Sequence, residues 1–138
     1  MSSEADPGPR ASRLRGFMLH VLPAVGYAAG IFYGGSVRPP RLPRIAELAA
    51  DKLLHCLVFA GMQILVLRAV RWEWPALGLG RQIGAAAAIS ALAGALLEVY
   101  QAFLPNRSAE LLDFVADVAG ILLASVVLVF AMRDRSHL

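Results

Sequence analysis

Four apolar stretches, at about residues 17–37, 52–70, 82–104 and 112–132, are each long enough to cross a bilayer. A hydrocarbon core roughly 30 Å thick needs about 20 mainly apolar residues in a helix. Lipid offers no partner to an unpaired amide, so helical spans are the form such stretches take. In a chain of 138 residues they leave room only for tails and short loops. The expected fold is therefore all-α, an integral membrane four-helix bundle. Composition agrees: 58% of residues are hydrophobic and only 17% charged, against about 25% charged in soluble domains. The thirteen basic residues sit at the edges of apolar runs and form no stripe with interleaved aromatics, which argues against a nucleic-acid partner. The single cysteine, Cys56, excludes an internal disulfide and a CxxC metal site. The composition implies no cofactor, and the first partner to expect is the lipid bilayer.

Residues 1–15 read as a disordered cytoplasmic tail, because the opening MSSEADPGPRA is polar, carries two prolines and lacks apolar periodicity. Residues 16–132 form the four-span domain and 133–138 a short cytoplasmic tail. Arg10, Arg13 and Arg15 before an apolar run resemble a signal peptide. The run is too long and lacks an A-x-A cleavage site, so a retained signal-anchor helix is expected, kinked at Pro23. The proline-rich RPPRLPRIAELAAD ends the first span and has length for a short amphipathic interfacial helix over about residues 43–50. Trp72-Glu73-Trp74-Pro75 has the aromatic signature of the headgroup zone.

With four spans, both tails and the middle loop share one side. That side holds Arg10, Arg13, Arg15, Arg68, Arg71, Arg81, Arg133 and Arg135, eight basic residues, against Arg38, Arg41, Arg44, Lys52 and Arg107, five, on the other. The excess predicts that both termini of this multi-pass protein are cytoplasmic.

Ionisable residues inside spans are costly and mark cavities, pairs or functional sites. Here they gather at one level. Asp51, Lys52 and His55 open the second span, with Asp51 and His55 one turn apart. Glu98 and Gln101 lie near the end of the third, before Leu104-Pro105-Asn106-Arg107, and Asp113 and Asp117 lie at i and i+4 in the fourth. At 1.5 Å per residue, Glu98 and Asp117 fall about 6–10 Å below the outer surface. The third span is otherwise rich in small residues, with the pairs Gly84/Ala88, Ala87/Ala91 and Ser90/Gly94. Such pairs let helices approach closely, which places this span at the bundle centre. His20 and Cys56 are expected to fill the core. Tyr27 and Tyr33 are expected to pack or to anchor at the interface, and Tyr100 to point off the Glu98/Gln101 face.

Asp51-Lys52-Leu53-Leu54-His55, then Glu98-Val99-Tyr100-Gln101-Ala102-Phe103-Leu104-Pro105-Asn106-Arg107, then Asp113 with Asp117-Val118-Ala119-Gly120, together form a pattern that resembles the VanZ-like family over about residues 34–124. Ser36 falls where that family often has a serine. Two positions depart from its pattern: Asp117 stands where Asn is usual, and Glu110 where a small polar residue is usual. The resemblance implies a four-span membrane domain whose candidate functional positions are Asp51, Lys52, His55, Glu98, Gln101, Arg107, Asp113 and Asp117. It also implies a link to tolerance of teicoplanin, a lipoglycopeptide.

Three readings of this cluster stand side by side. In one it is an outward site for a lipid-linked envelope precursor or a lipoglycopeptide, with Lys52 and Arg107 on a phosphate or carboxylate and Gln101 and Asp117 on hydroxyl or amide hydrogens. In another it is a hydrolase acting on a lipid-linked substrate, through His55 as general base oriented by Asp51 or Glu98, or through a metal with donors drawn from His55, Glu98, Asp113 and Asp117, with His55, Glu98 and Asp117 the candidate ligands. In the third it is a purely structural set of ion pairs, an inefficient staple because desolvation offsets much of the attraction.

Overall fold

The computed structural model describes residues 8–37, 44–105 and 110–134. Five helices form it: α1 (Pro9–His20), α2 (Leu22–Ser36), α3 (Arg44–Glu73), α4 (Leu79–Ala102) and α5 (Leu111–Asp134). There is no strand among the described residues. Four stretches are long and apolar enough to cross a membrane: Pro9–Ser36, Ala49–Glu73, Leu79–Ala102 and Leu111–Arg133. The protein is thus an all-α four-helix bundle of membrane type. Its outer surface carries Leu53, Leu57, Leu92, Leu122, Val127 and Phe130, all well exposed, as lipid-facing positions must be.

The boundaries differ from expectation in three places. Residues 9–15, expected in a disordered tail, are already helical. Pro9 suits a first helical turn, where its missing N–H costs nothing. Residues 44–50, expected as a separate interfacial helix, are instead the first turns of the 30-residue α3. The stretch RIAELAADKLL is built of good helix formers with no breaker, so the helix continues unbroken into the span. At the far end α5 runs on through Asp134. The break at Val21, between α1 and α2, matches the expected kink, because Pro23 has no N–H to give to the Leu19 carbonyl.

The bundle centre is α3, which packs against α1, α2, α4 and α5 and lies closest to α5. The small-residue α4 touches all three other spans, through α2, α3 and α5, as expected, although α3 makes the more extensive contacts. The α3/α5 approach depends on Gly120: a Cβ there would collide with the backbone carbonyl of Cys56. Phe59, Met62, Val66 and Leu67 of α3, Ala86 and Leu97 of α4 and Ile121 of α5 make the core. Gln63, fully buried at its middle, accepts from Ser90 Oγ (3.1 Å) and donates to Ser125 Oγ (3.0 Å), linking three helices. The first span stands apart. Only 6% of its apolar window is buried, against 33% in each of the other three, and this loose fit leaves a groove beside α2.

Candidate functional site

The start of α3, the end of α4 and the start of α5 meet at one end of the bundle, and the ionisable residues of these segments converge there. Lys52 donates to Asp51 (3.3 Å), to Glu110 (2.9 Å) and to Asp113. His55 Nδ1 lies 2.8 Å from Asp117 Oδ1, and its Nε2 lies 3.8 Å from Asp113 Oδ2. Glu98 Oε2 accepts the Glu110 backbone N–H at 2.8 Å, so the beginning of α5 is tied to the end of α4. Asp117 is fully buried, and Asp113 and Glu98 nearly so.

Two glycines make this convergence sterically feasible. Gly120 brings α3 and α5 together one turn from Asp117. At Gly94 a Cβ would stand 2.9 Å from Asp117 Oδ2, so a larger residue would push that carboxylate from its place against α4. Of the three small-residue pairs, Ser90/Gly94 is the one buried; Gly84 and Ala88 are exposed. In lipid, tight packing replaces the hydrophobic drive between helices, and Ser90 and Gly94 supply it here.

Two oxygens in the cluster, Glu98 Oε1 and Asp117 Oδ2, are buried with no hydrogen-bond partner among the described residues. One donor atom from each of His55, Glu98 and Asp117 lies within 4.8 Å of the others, and the same holds for Asp51, His55 and Asp113. Lys52 already occupies Asp51 and Asp113, so the two triads are not equivalent.

The cluster opens sideways onto the groove, a cavity of about 680 Å³ between α2, α3 and α4. Its walls are Gly26, Gly30 and Gly34 of α2 with Ile31, Leu54, Val58, Phe59 and Leu97, and its polar end is Asp51, His55 and Gln101. Tyr27 also lines it and donates to the Val58 carbonyl at 3.1 Å. At the C-terminal end of α2, Ser36 and Tyr100 share a hydrogen bond of 2.8 Å, with Tyr100 tilted against Phe32. Tyr100 points off the buried Glu98/Gln101 face, as expected, and in doing so ties α4 to α2.

Of the candidate residues, Asp51, Lys52, His55, Glu98, Gln101, Asp113 and Asp117 all lie at this end of the bundle, while Arg107 lies outside the described residues. Lys52, expected to meet a phosphate or carboxylate of a ligand, has its donors committed to three carboxylates of the protein. His20 does not fill the core. It stacks on Trp72 at the opposite end, with centroids 5.9 Å apart, and accepts from Arg68 Nε at 3.3 Å. Reasoning from sequence missed three features: Gln63 at the centre, Glu110 as a partner of Lys52, and the glycine stripe of α2. The i, i+4, i+8 spacing of Gly26, Gly30 and Gly34 and the lone Gln63 in an apolar run were the available signals.

Fold and site together define a multi-pass helical membrane protein with an ionisable cluster buried at one end of its bundle. Compared with known proteins, the chain matches no family model, no curated protein and no solved structure.

Proposed function

We propose that the groove receives the acyl chain of a lipid-linked or lipoglycopeptide amphiphile, with the head group held at Asp51, His55 and Gln101. The observation that carries this reading is an apolar, glycine-walled cavity that ends in three hydrogen-bonding side chains. Its volume falls within the roughly 300–1,000 Å³ usual for small-molecule sites. A bound chain would exchange lipid for protein walls at little cost. Discrimination then falls to the head, where Asp51, His55 and Gln101 offer acceptors to hydroxyl, amide or ammonium hydrogens. With Lys52 neutralised by its own neighbours, such a head suits the site better than a free anion does.

The orientation that follows the basic residues puts α1 and the Arg68/Arg71 end in the cytoplasm and the cluster on the outer side of the inner (cytoplasmic) membrane. An outward site of this kind, in a chain resembling the VanZ-like family, supports a role in teicoplanin tolerance or envelope maintenance. Hydrolysis of a lipid-linked substrate is the second reading, favoured by one contact: the His55–Asp117 pair has the form of a general base oriented by a carboxylate.

The test is susceptibility of a glycopeptide-sensitive host to teicoplanin and to vancomycin, with wild type, Gly30→Leu and Glu98→Ala at matched membrane levels. Nothing lies within 4 Å of a Cβ at Gly30, so Gly30→Leu fills the groove without a backbone clash. Wild type is expected to protect against teicoplanin and both variants to lose that protection, with vancomycin unaffected. Protection retained by Gly30→Leu, or no protection by wild type, would defeat the reading.

A further inference from the structure

We infer that His55, Glu98 and Asp117 bind one divalent cation of zinc or manganese type at the head of the groove. The three residues come from three different helices, yet a donor atom of each lies within 4.8 Å of the other two. Small side-chain adjustments bring such a set to the about 2.0–2.2 Å of nitrogen and carboxylate ligands.

The second, independent observation is the pair of orphaned oxygens. Asp117 is fully buried and Glu98 8% exposed, and each keeps one carboxylate oxygen without a partner among the described residues. Buried polar atoms in a membrane bundle are ordinarily satisfied, because no water is at hand to compensate them. In charge the cluster is lopsided as well. Among the described residues, Asp51, Glu98, Glu110, Asp113 and Asp117 gather around one ammonium, that of Lys52, which reaches Asp51, Glu110 and Asp113. Glu98 and Asp117 are the two carboxylates it leaves over, and they are the two with open oxygens.

The same argument separates this triad from Asp51, His55 and Asp113, whose two carboxylates already hold Lys52. Asp113 has a different part. Its Oδ2 lies 3.8 Å from His55 Nε2 while its other oxygen holds Lys52. At 3.8 Å the two are not hydrogen-bonded, but an approach of about 1 Å would let Asp113 orient a metal-bound imidazole through its second nitrogen. The nitrogen left for the cation is Nδ1, which faces Asp117. One imidazole with two carboxylates suits zinc or manganese better than the all-oxygen preference of calcium or magnesium.

Three protein donors leave coordination positions open, and His55 also lines the groove. A hydroxyl or amide oxygen of the amphiphile is the natural further ligand, a step that rests on the groove-binding reading; the cation site itself does not.

The experiment uses the full chain purified in detergent, stripped with chelator, desalted, and titrated separately with zinc and manganese ions. Ion content per chain is read by elemental analysis and the thermal midpoint is followed in parallel. Wild type is expected to retain one ion and to gain thermal stability. The near-isosteric Glu98→Gln and Asp117→Asn, and His55→Ala, are expected to lose affinity at least tenfold while eluting as monodisperse protein, and Glu73→Gln at the opposite end to keep wild-type affinity. Wild type retaining no ion would overturn the inference, as would a tenfold loss in Asp51→Asn with none in Glu98→Gln. Gly30→Leu separates the two proposals. If it abolishes teicoplanin protection but still binds one ion, both stand; if wild type protects but binds no ion, this inference falls and the groove reading survives.

Discussion

Where α3 begins, carboxylates, an ammonium and an imidazole turn inward, and Asp117 and Gln101 are almost wholly withdrawn from the surface. Where α3 ends, the charges stay outside. Arg68 and Arg71 are exposed, one donating to His20, which stacks on Trp72, and the other to Met132 Sδ at 3.0 Å. Gln82 there caps the Trp74 carbonyl at 3.0 Å. The basic end follows the pattern of interfacial anchoring, in which long side chains keep their heads at the membrane surface and aromatic rings sit at the headgroup level. The acidic end departs from it. Charge that could have stayed at the surface is drawn into the bundle, and that is the mark of a site rather than an anchor.

The largest expected contrast between the ends is steric. Gly120→Leu would drive a side chain into the Cys56 carbonyl beneath the cluster, and overpacking of this kind is expected to cost about 3 kcal/mol or more. Gly84→Leu, near the basic end, enters open space and should stay within about 0.5 kcal/mol of wild type. Reversible unfolding in mixed micelles measures both. Equal losses would mean that the α3/α5 approach is not the tight one.

Electrostatics comes next. Lys52→Met removes the one ammonium from Asp51, Glu110 and the buried Asp113, and is expected to cost about 3 kcal/mol, at the low end for a broken buried pair because Lys52 is partly exposed. Arg71→Met, exposed at the basic end, should change stability by less than about 0.5 kcal/mol in the same assay. If the two variants match, the inward charges do not hold α3 to α5.

The smallest effect belongs to the aromatic anchor. His20→Ala removes the stacking on Trp72 and should cost about 1 kcal/mol, with a change in tryptophan emission as the local readout. A loss larger than that of Lys52→Met would reverse the ranking of the two ends.

Much of this was legible from residues alone. Apolar run length located all four spans, and the positions of Asp51, His55, Glu98, Asp113 and Asp117 put them at one depth before any contact was known. The choice among Gly84/Ala88, Ala87/Ala91 and Ser90/Gly94 was not legible, because each pair has the same spacing and only the packed bundle shows that Ser90/Gly94 is buried, Ala87/Ala91 half-buried and Gly84/Ala88 exposed. The pairing of Lys52 with Glu110 spans 58 residues, and nothing local in either segment announces it. The continuity of α3 was obscured by the prolines before it, which end the preceding span but leave the helix formers of residues 44–50 free to extend the next one.

The sequence by itself determined that this chain spans a membrane, how many times, and at which level its charges lie, because the number and position of spans follow from hydrophobic length and helical rise alone. Tertiary structure decided the rotation of each helix. Both sides of each span are largely apolar, so hydrophobic length alone cannot orient them; the polar side chains that turn inward and the close packing at Gly94 and Gly120 do. That packing sets Glu98 and Asp117 beside His55 and, by leaving α2 loosely seated, opens the groove next to them.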